Sequence, residues 1–371
     1  MADTPDGIVR EFRVSLRTRT RLALRAWLAR WTGAERGRLW RRNYHGQFEN
    51  YFAENAYEFG EYVSHKAIVG ALRNALQALA TRGDGPPCVV LRGVFPRRWS
   101  PFGFSADFSP ATVERRPFGS KALPPRHAKG FINKGRFDIV AAAIIDAAGS
   151  ELRKKSAPDH AVRQDYITDC DSEAHAFHEG HDLWLRFRQA TPEFAPDDPR
   201  PDKVAANLVV IGCVENVIKD PLYVLPVADI LSTLDHDTLF ELRKKQFDFV
   251  DGWAADLSEL SPHRKSIVSG GGDDPKSWYL SFDPNRVVIR SDKTPQEGLR
   301  AVAKLLDAIN RIGQRTAPVL LRRGDALIVN NYRTLTRRKE RSRFVFTWPW
   351  PPVRWLRVYY GFPRELTRRE I

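Results

Sequence analysis

The sequence contains little sulfur and has no long apolar run. Its 371 residues include one methionine and three cysteines, Cys88, Cys170 and Cys213. The cysteines are far apart and form no CxxC pair, a pattern that favours neither a zinc site nor a disulfide framework. Cysteine use of this kind is typical of a reducing compartment, and no apolar stretch is long enough to cross a bilayer. We therefore expect a cytoplasmic protein without a transmembrane segment.

Several motifs that carry common chemistry are also missing. The sequence contains neither a GxGxxG stretch nor a GxxxxGK[ST] stretch, so it predicts no dinucleotide site and no P-loop. It contains no GxSxG stretch either, so it gives no sign of a serine hydrolase elbow. The function must therefore be sought in other residues.

The charge that is present lies mainly at the two ends of the chain. The formal net charge is +14, in a sequence of globular composition with 42% hydrophobic residues. Residues 10–42 hold eleven Arg against two Glu, a net +9. Residues 337–371 hold ten Lys or Arg against three Glu, a net +7. The rest of the chain is nearly neutral, which argues against a uniformly basic surface for nucleic acid.

The basic N-terminal segment has the pattern of an amphipathic helix. Leu22, Leu24, Trp27, Leu28 and Trp31 are spaced to share one apolar face, with Arg on the others. We expect a basic helical extension over residues 1–60 and one larger domain over residues 61–371. In one interpretation the apolar face packs on this domain. In the other it docks an anionic partner, such as a carrier protein, RNA or a membrane.

The order of predicted elements indicates the fold class. Helical patterns come first, and short apolar strands follow, with one long helix over 294–313 between them. This order favours a β-barrel or sandwich braced by helices over a doubly wound sheet. The sequence therefore predicts an α+β fold.

Four stretches in a characteristic order carry a resemblance to a known family. They are ALRNALQALATRGDGPPCVVLRGV, DSEAHAFHEGHDLWLRF, DPNRVVIRSDKTPQEGLRAVAKLLDAI, and LLRRGDALIVNNYRTLTRR with the later VRWL. In this order they resemble the taurine dioxygenase and clavaminate synthase branch of the iron(II)/2-oxoglutarate oxygenases. The resemblance covers roughly residues 65–360. It implies a double-stranded β-helix core, also called a jelly roll or cupin-like fold.

The resemblance implies a metal site, but two of its positions hold other residues. Family members bind Fe(II) through two His and one carboxylate, and an Arg pairs with the 2-oxoglutarate carboxylate. Glu173 falls on the carboxylate position, whereas Asp171 and Thr336 fall on the two histidine positions. Arg338 and Arg354 fall on arginine positions, which implies that they bind the cosubstrate. The resemblance thus implies Asp171, Glu173 and Thr336 as the reacting set.

The donor set leaves several metal hypotheses open. Oxygen ligands from Asp, Glu and Thr suit Mg, Ca or Mn better than iron. Glu173 and His175 would share a face of an extended strand, so they are the alternative ligand pair. His178 and His181 extend the cluster. His178, Glu179 and Gly180 also form the sequence HxG, a variant of the family motif in which a halide ion takes the place of the carboxylate ligand. The remaining interpretation is that these histidines line a loop and bind no metal.

Two functional hypotheses follow. The first is a divergent oxygenase-fold enzyme that acts on a small amino-acid-like or other specialised-metabolism substrate. Its metal site would be rearranged, or its chemistry would be independent of metal, with Fe(II) and 2-oxoglutarate implied only by the resemblance. The alternative is a non-catalytic protein of the same fold that binds an anionic partner through its basic ends. A nucleic-acid partner is the least favoured, because no recognition motif is present.

Overall fold

A computed structural model of the chain combines two large β-sheets with seven helices among its described residues. These residues are 9–32, 60–80, 86–95, 139–151, 166–168, 206–216, 219, 221–249, 264–270, 278–282, 287–288, 294–338 and 354–363. The described helices are α1 Leu16–Thr32, α2 60–67, α3 Ala71–Ala80, α4 139–147, α5 Val227–Leu231, α6 His236–Arg243 and α7 Gln296–Gly313. The predicted α+β class is confirmed.

Fourteen short strands are described, and ten of them form the two sheets, while the other four form two separate antiparallel pairs. The fourteen strands are β1 Val9–Arg13, β2 Cys88–Arg92, β3 Ser150–Glu151, β4 Tyr166–Thr168, β5 Leu208–Asn216, β6 Leu222–Pro226, β7 Asp248–Phe249, β8 Val268–Ser269, β9 Tyr279–Leu280, β10 Val287–Val288, β11 Pro318–Val319, β12 Ala326–Asn330, β13 Thr334–Arg338 and β14 Arg354–Pro363. The seven-stranded sheet has the order β1-β2-β12-β5-β14-β3, and β4 also pairs with β14. The three-stranded sheet has the order β11-β6-β13.

The seven-stranded sheet is built on apolar strands buried on both faces. Strand β12, with the sequence ALIVN, is buried along its whole length and pairs antiparallel with both β2 and β5. Strands buried on both faces are expected to read as continuous β-branched and leucine runs, as this one does. Strand β1 pairs with β2 in parallel register, with Val9 opposite Cys88 and Arg13 opposite Arg92.

The two sheets pack around one shared buried core, and the chain crosses from one sheet to the other. Strand β5 lies in the large sheet and β6 in the small sheet, and the same holds for β12 and β13. Val209 and Leu327 from the large sheet pack in one cluster with Leu222 and Val224 from the small sheet. The sheets are therefore two layers of a sandwich, with alternate residues of each strand facing the shared core.

Helices cover the outer face of each sheet. Leu22 of α1 and residues of α2, α3 and α4 pack with Leu208 and Ile328 on the outside of the large sheet. Residues of α5, α6 and α7 pack with Leu225 and Leu335 on the outside of the small sheet. Among the described helices, none is both long enough and apolar enough to span a bilayer.

The N-terminal segment differs from the helix predicted over residues 8–42. Residues 9–13 form strand β1, because their backbone groups complete the free edge of β2 and Val9 is buried in the shared core. The predicted apolar face of α1 is also divided, since Leu22 is fully buried while Leu24 is 47% exposed. The predicted helical extension over residues 1–60 is thus corrected at its start, and its boundary at residue 60 remains a prediction.

Candidate functional site: the arginine end of the sandwich

Thr336 lies on the face of β13 that points into the space between the two sheets. Its Cα partner is Val224, which is buried in the shared core. Directly opposed residues of an antiparallel pair point to the same face of the sheet. The next residue, Leu335, packs in the outer cluster, as the alternation of a strand requires. The predicted site position at Thr336 therefore faces inward, and its side chain is half-buried.

Arg338 and Arg354 lie at one end of the sandwich. Arg338 is the Cα partner of Leu222, where β6 begins, and Arg354 is the Cα partner of Asn216, where β5 ends. Because the chain crosses from β5 to β6 at this end, both arginine positions flank the same crossing. Thr336 precedes Arg338 by two residues in β13. The structure thus brings three of the six sequence-predicted site positions to one region.

Arginine recurs along this end of the molecule, which we call the arginine end. Its members are Arg13, Arg92, Arg322, Arg323, Arg338 and Arg354. Arg13 and Arg92 end neighbouring strands and are Cα partners. Arg322 and Arg323 lie where the chain returns from β11 of the small sheet to β12 of the large one. Six arginines at one end outnumber the carboxylates of Glu11 and Asp325, and an excess of positive charge attracts anions.

The remaining predicted site residues lie outside the described residues. They are Asp171, Glu173 and His175, together with the nearby Cys170, His178 and His181. Strand β4 ends three residues before Asp171, and its last residue, Thr168, is the Cα partner of Trp355. Trp355 follows Arg354 directly. The last described residue before the DSE stretch therefore belongs to the arginine end.

A buried ion-pair network fixes the arginine end, and the sequence analysis did not identify it. Asp325 accepts hydrogen bonds from Arg92 Nη1 at 2.9 Å, from Gly93 N at 2.8 Å and from Arg322 N at 2.9 Å. Arg92 also donates to the Leu320 carbonyl at 2.6 Å, and its Nη2 contacts Glu11. These bonds join β1, β2 and the turn before β12.

The electrostatics of Arg92 follow from this network. Burial alone would lower the pKa of Arg92, but the hydrogen bonds to Glu11 and Asp325 raise it above its ordinary value. Asp325 is only 2% exposed, so its carboxylate depends on these donors in place of water. In the sequence this network is marked only by the Gly324–Asp325 pair before an apolar run, a pattern that is typical of a turn.

The described part of the site does not fit an iron ion. Fe(II) in this kind of fold is held by imidazole nitrogen and carboxylate, and the Thr336 hydroxyl is a weak ligand for it. The described histidines, His65 and His236, are both exposed and belong to α2 and α6. Over the described ranges, no three His, Cys, Asp or Glu side chains are grouped to hold a metal. No catalytic step through iron is therefore derived from these residues.

The opposite end of the sandwich is closed by asparagine, and we call Asn207, Asn330 and Asn331 the asparagine end. Asn330 Nδ2 donates to the Leu79 carbonyl at 2.8 Å, and its Oδ1 accepts from Tyr332 N at 3.0 Å. Asn331 Nδ2 donates to the Ala206 carbonyl at 2.7 Å, and Asn207 Nδ2 donates to Ser150 Oγ at 3.0 Å. These amides join the turn between β12 and β13 to the end of α3 and to the residues before β5, and they satisfy buried polar groups there.

Comparison with known proteins identifies the fold. Neither a protein-family model nor a curated protein sequence matches the chain. Among solved structures, the non-heme iron oxygenase OrfP in complex with Fe and L-Arg matches with a TM-score of 0.58 and 14% identity, over 97% of this chain and 96% of that one. The OrfP complex with Fe and alpha-ketoglutaric acid matches with a TM-score of 0.58 and 15% identity, over 98% and 96%.

A second enzyme gives the same result. Asparagine oxygenase in complex with Fe(II), 2S,3S-3-hydroxyasparagine and succinate matches with a TM-score of 0.57 and 14% identity, over 95% of this chain and 93% of that one. The matches extend over almost the whole length of each protein, so the similarity is not limited to one motif. The resemblance inferred from the four sequence stretches is confirmed at the level of the fold: the chain has the fold of the non-heme iron oxygenases.

Proposed function

We propose that this protein is an oxygenase-fold enzyme that acts on a small amino-acid-like substrate at the arginine end of its sandwich. The observation that carries the proposal is the register of β13 and β14. It brings Thr336, Arg338 and Arg354 to the end where β5 crosses to β6. The similar solved structures support the substrate class, because they are complexes with L-Arg and with 3-hydroxyasparagine. We also propose that the two sheets are the halves of a double-stranded β-helix.

The proposed chemistry differs from that of an ordinary iron oxygenase. Thr336 does not fit iron, so either the metal site is rearranged or the reaction is independent of metal. In the rearranged site, Glu173 and His175 are the proposed ligands, and Asp171 and Thr336 contact the substrate. Arg338 and Arg354 are the proposed anchors for a carboxylate, either of 2-oxoglutarate or of the substrate. The cytoplasmic location expected from cysteine usage remains a prediction.

The first experiment is an anaerobic titration of the purified protein with Fe(II) and 2-oxoglutarate, followed by visible absorption. A charge-transfer band that is lost in Glu173→Ala supports the rearranged iron site. Absence of the band, together with no metal by elemental analysis, supports the metal-independent form. In that second case, 2-oxoglutarate and amino acids are tested as ligands by calorimetry, with Arg354→Gln as the variant. If the protein binds neither 2-oxoglutarate nor any of the amino acids tested, the proposal is contradicted.

A second experiment tests the register of the site. The double variant Asp171→His/Thr336→His places imidazoles at both positions where the resemblance implies them. We expect Fe(II) affinity to rise at least about tenfold, because imidazole binds transition metals far better than hydroxyl oxygen. The control is Ser232→His/Gln314→His, which adds two imidazoles at exposed positions. An equal gain in the control, or no gain in the test variant, shows that Asp171 and Thr336 are not ligand positions.

The alternative function is a non-catalytic protein that binds an anionic carrier protein, RNA or membrane through its basic ends. The observation that favours it is the excess of eleven Arg over two Glu in residues 10–42. Its consequence is a strong dependence of partner binding on salt, which a small-substrate enzyme does not require. Binding of an amino acid in the site with millimolar or better affinity at high salt favours the enzyme instead.

A further inference from the structure

The described part of α1 presents an apolar and basic face to solvent. Leu16 is 74% exposed and Leu24 is 47% exposed, although Leu22 between them is fully buried. Positions 16, 20 and 24 follow one another at a spacing of four, so they form a single stripe along the helix. The core does not explain two leucines on one exposed stripe, because Leu22 is the leucine that packs into the core among the described side chains of α1, residues 16–25.

Arginine borders this stripe. Arg17 and Arg21 are exposed and lie four residues apart, directly beside Leu16 and Leu24. Two like charges at this spacing destabilise a helix slightly, so helix stability does not explain the presence of both Arg17 and Arg21. No acidic residue occurs anywhere in α1 to offset them. The face therefore combines exposed apolar area with positive charge that no acidic residue of α1 itself offsets.

The face is held rigidly beside the arginine end. Strand β1 ends at Arg13, opposite Arg92, and α1 begins three residues later with the Ser15 hydroxyl accepting from Thr18 N at 3.1 Å. The Arg19 guanidinium covers Gly93, where an added Cβ would lie 2.5 Å from Arg19 Nη2. Further along the helix, Arg25 Nη1 donates to the Tyr62 hydroxyl at 3.1 Å.

We propose that this face of α1, formed by Leu16, Arg17, Arg21 and Leu24, docks an acidic protein beside the arginine end. Its chemistry is that of a protein interface, in which an apolar centre is bordered by charged groups. Most contacts to a nucleic acid go to its phosphates and sugars, which would use the arginines and leave the two leucines in water. A membrane is less well matched, because the described part of the face offers two leucines to insert and Leu22 holds the helix on the body. A rigid face also lowers the entropy lost on association.

The test is fluorescence anisotropy with a labelled, amphipathic Glu/Leu helical peptide of about 20 residues, roughly 30 Å long. No metal or turnover is involved, so failure here leaves the proposed enzyme function untouched. We expect Arg17→Glu/Arg21→Glu to weaken binding about tenfold or more, because two attractions become repulsions. We expect Leu16→Ser/Leu24→Ser to weaken it about threefold or more without altering its salt dependence.

Matched controls lie on the opposite side of the molecule. Arg300→Glu/Arg311→Glu on α7 makes the same change in net charge at exposed positions, and Phe240→Ser on α6 removes an exposed apolar side chain. We expect each control to change affinity by less than about twofold. Circular dichroism and thermal unfolding check that all variants fold, and Arg17→Gln/Arg21→Gln is a milder second variant.

Three outcomes overturn the proposal. One is a loss of affinity in the controls equal to that in the α1 variants, which indicates attraction by net charge alone. Another is binding of single-stranded RNA, or of phosphatidylcholine vesicles containing phosphatidylglycerol, more tightly than the peptide and independently of the leucines. The third is absence of peptide binding at low salt. Peptide binding that depends on both the arginines and the leucines supports an acidic protein partner.

Discussion

The arginine end and the asparagine end of the sandwich are closed by different chemistry. At the asparagine end, neutral amides bond to backbone carbonyls, such as Asn330 to Leu79 and Asn331 to Ala206. At the arginine end, a buried carboxylate, Asp325, bonds to Arg92 and to two backbone amides. Neutral amides satisfy the polar groups at the end of a sheet without creating a long-range electrostatic field, whereas charged groups create a field that acts on bound molecules. The end with the field is the end that the proposed site occupies.

The two ends should also respond differently to mutation, and Asp325 should give the largest effect. Asp325→Ala removes the acceptor of three hydrogen bonds and leaves Arg92 with only Glu11 and a carbonyl. We expect a loss of about 3 kcal/mol in the free energy of unfolding, since Gly93 N is left buried without its acceptor and Arg92 loses the more buried of its two carboxylate partners. Urea unfolding at neutral pH measures it.

The matched variant Asp325→Asn keeps the shape of the side chain and removes its charge. We expect a smaller loss, because an amide oxygen still accepts from Gly93 N or Arg322 N. A loss in Asp325→Ala below about 1 kcal/mol, within the range of an ordinary exposed ion pair, contradicts the assigned role of this network.

The second prediction concerns the asparagine end. Asn330→Ala removes the bond to the Leu79 carbonyl and the acceptor of the Tyr332 amide, and both partners are buried. We expect a loss of about 2 kcal/mol, smaller than at Asp325 because no charge is left unpaired. Urea unfolding at low and high salt should give the same loss, since the groups are neutral. A loss that changes with salt would break the distinction between the two ends.

Much of the fold could be predicted from local pattern. The apolar run at 326–330 and the amphipathic pattern at 296–313 both form the expected elements, β12 and α7. Residues 9–13 were misassigned to a helix, because their strand exists only through pairing with β2, far along the chain. The helix predicted over 294–313 begins at Gln296, with Pro295 as its N-cap.

The site was predicted in part, for a similar reason. The order of four motifs was enough to identify the fold, and it picked out Thr336, Arg338 and Arg354, whose strand positions lie towards one end of the sandwich. The Asp325–Arg92 network was not predicted, because its members are 233 residues apart and each looks ordinary in its own segment. Asp171, Glu173 and His175 lie outside the described residues, so their roles stay predictions.

The third prediction uses Cys88, which begins β2 at the asparagine end. Burial raises the pKa of this thiol to about 12, from an ordinary value of 9.0. The folded state therefore keeps the proton above pH 9, while the unfolded chain loses it. The stabilisation is complete below pH 9 and falls as the pH rises towards 12, by up to about 1.4 kcal/mol per pH unit.

The measurement is urea unfolding between pH 8 and pH 10.5, roughly the start of that window. Cys88→Ala should unfold with a shallower loss of stability than the wild type as the pH rises. Val329→Ala, at the Cα partner of Cys88, removes core volume without a titrating group and should keep the wild-type slope. Equal slopes in all three proteins would show that Cys88 titrates normally.

The smallest effect is expected at Glu11, the other partner of Arg92. Glu11 and Arg92 are 32% and 25% exposed, so water screens their attraction, whereas Asp325 is almost fully buried. Glu11→Gln should cost no more than about 1 kcal/mol, and that cost should shrink at high salt. Urea unfolding at two salt concentrations measures it, with Glu297→Gln at an exposed position of α7 as the control. A loss as large as that of Asp325→Ala would mean that the arginine end is held from the N-terminal strand, and that β1 is as essential to it as the buried carboxylate.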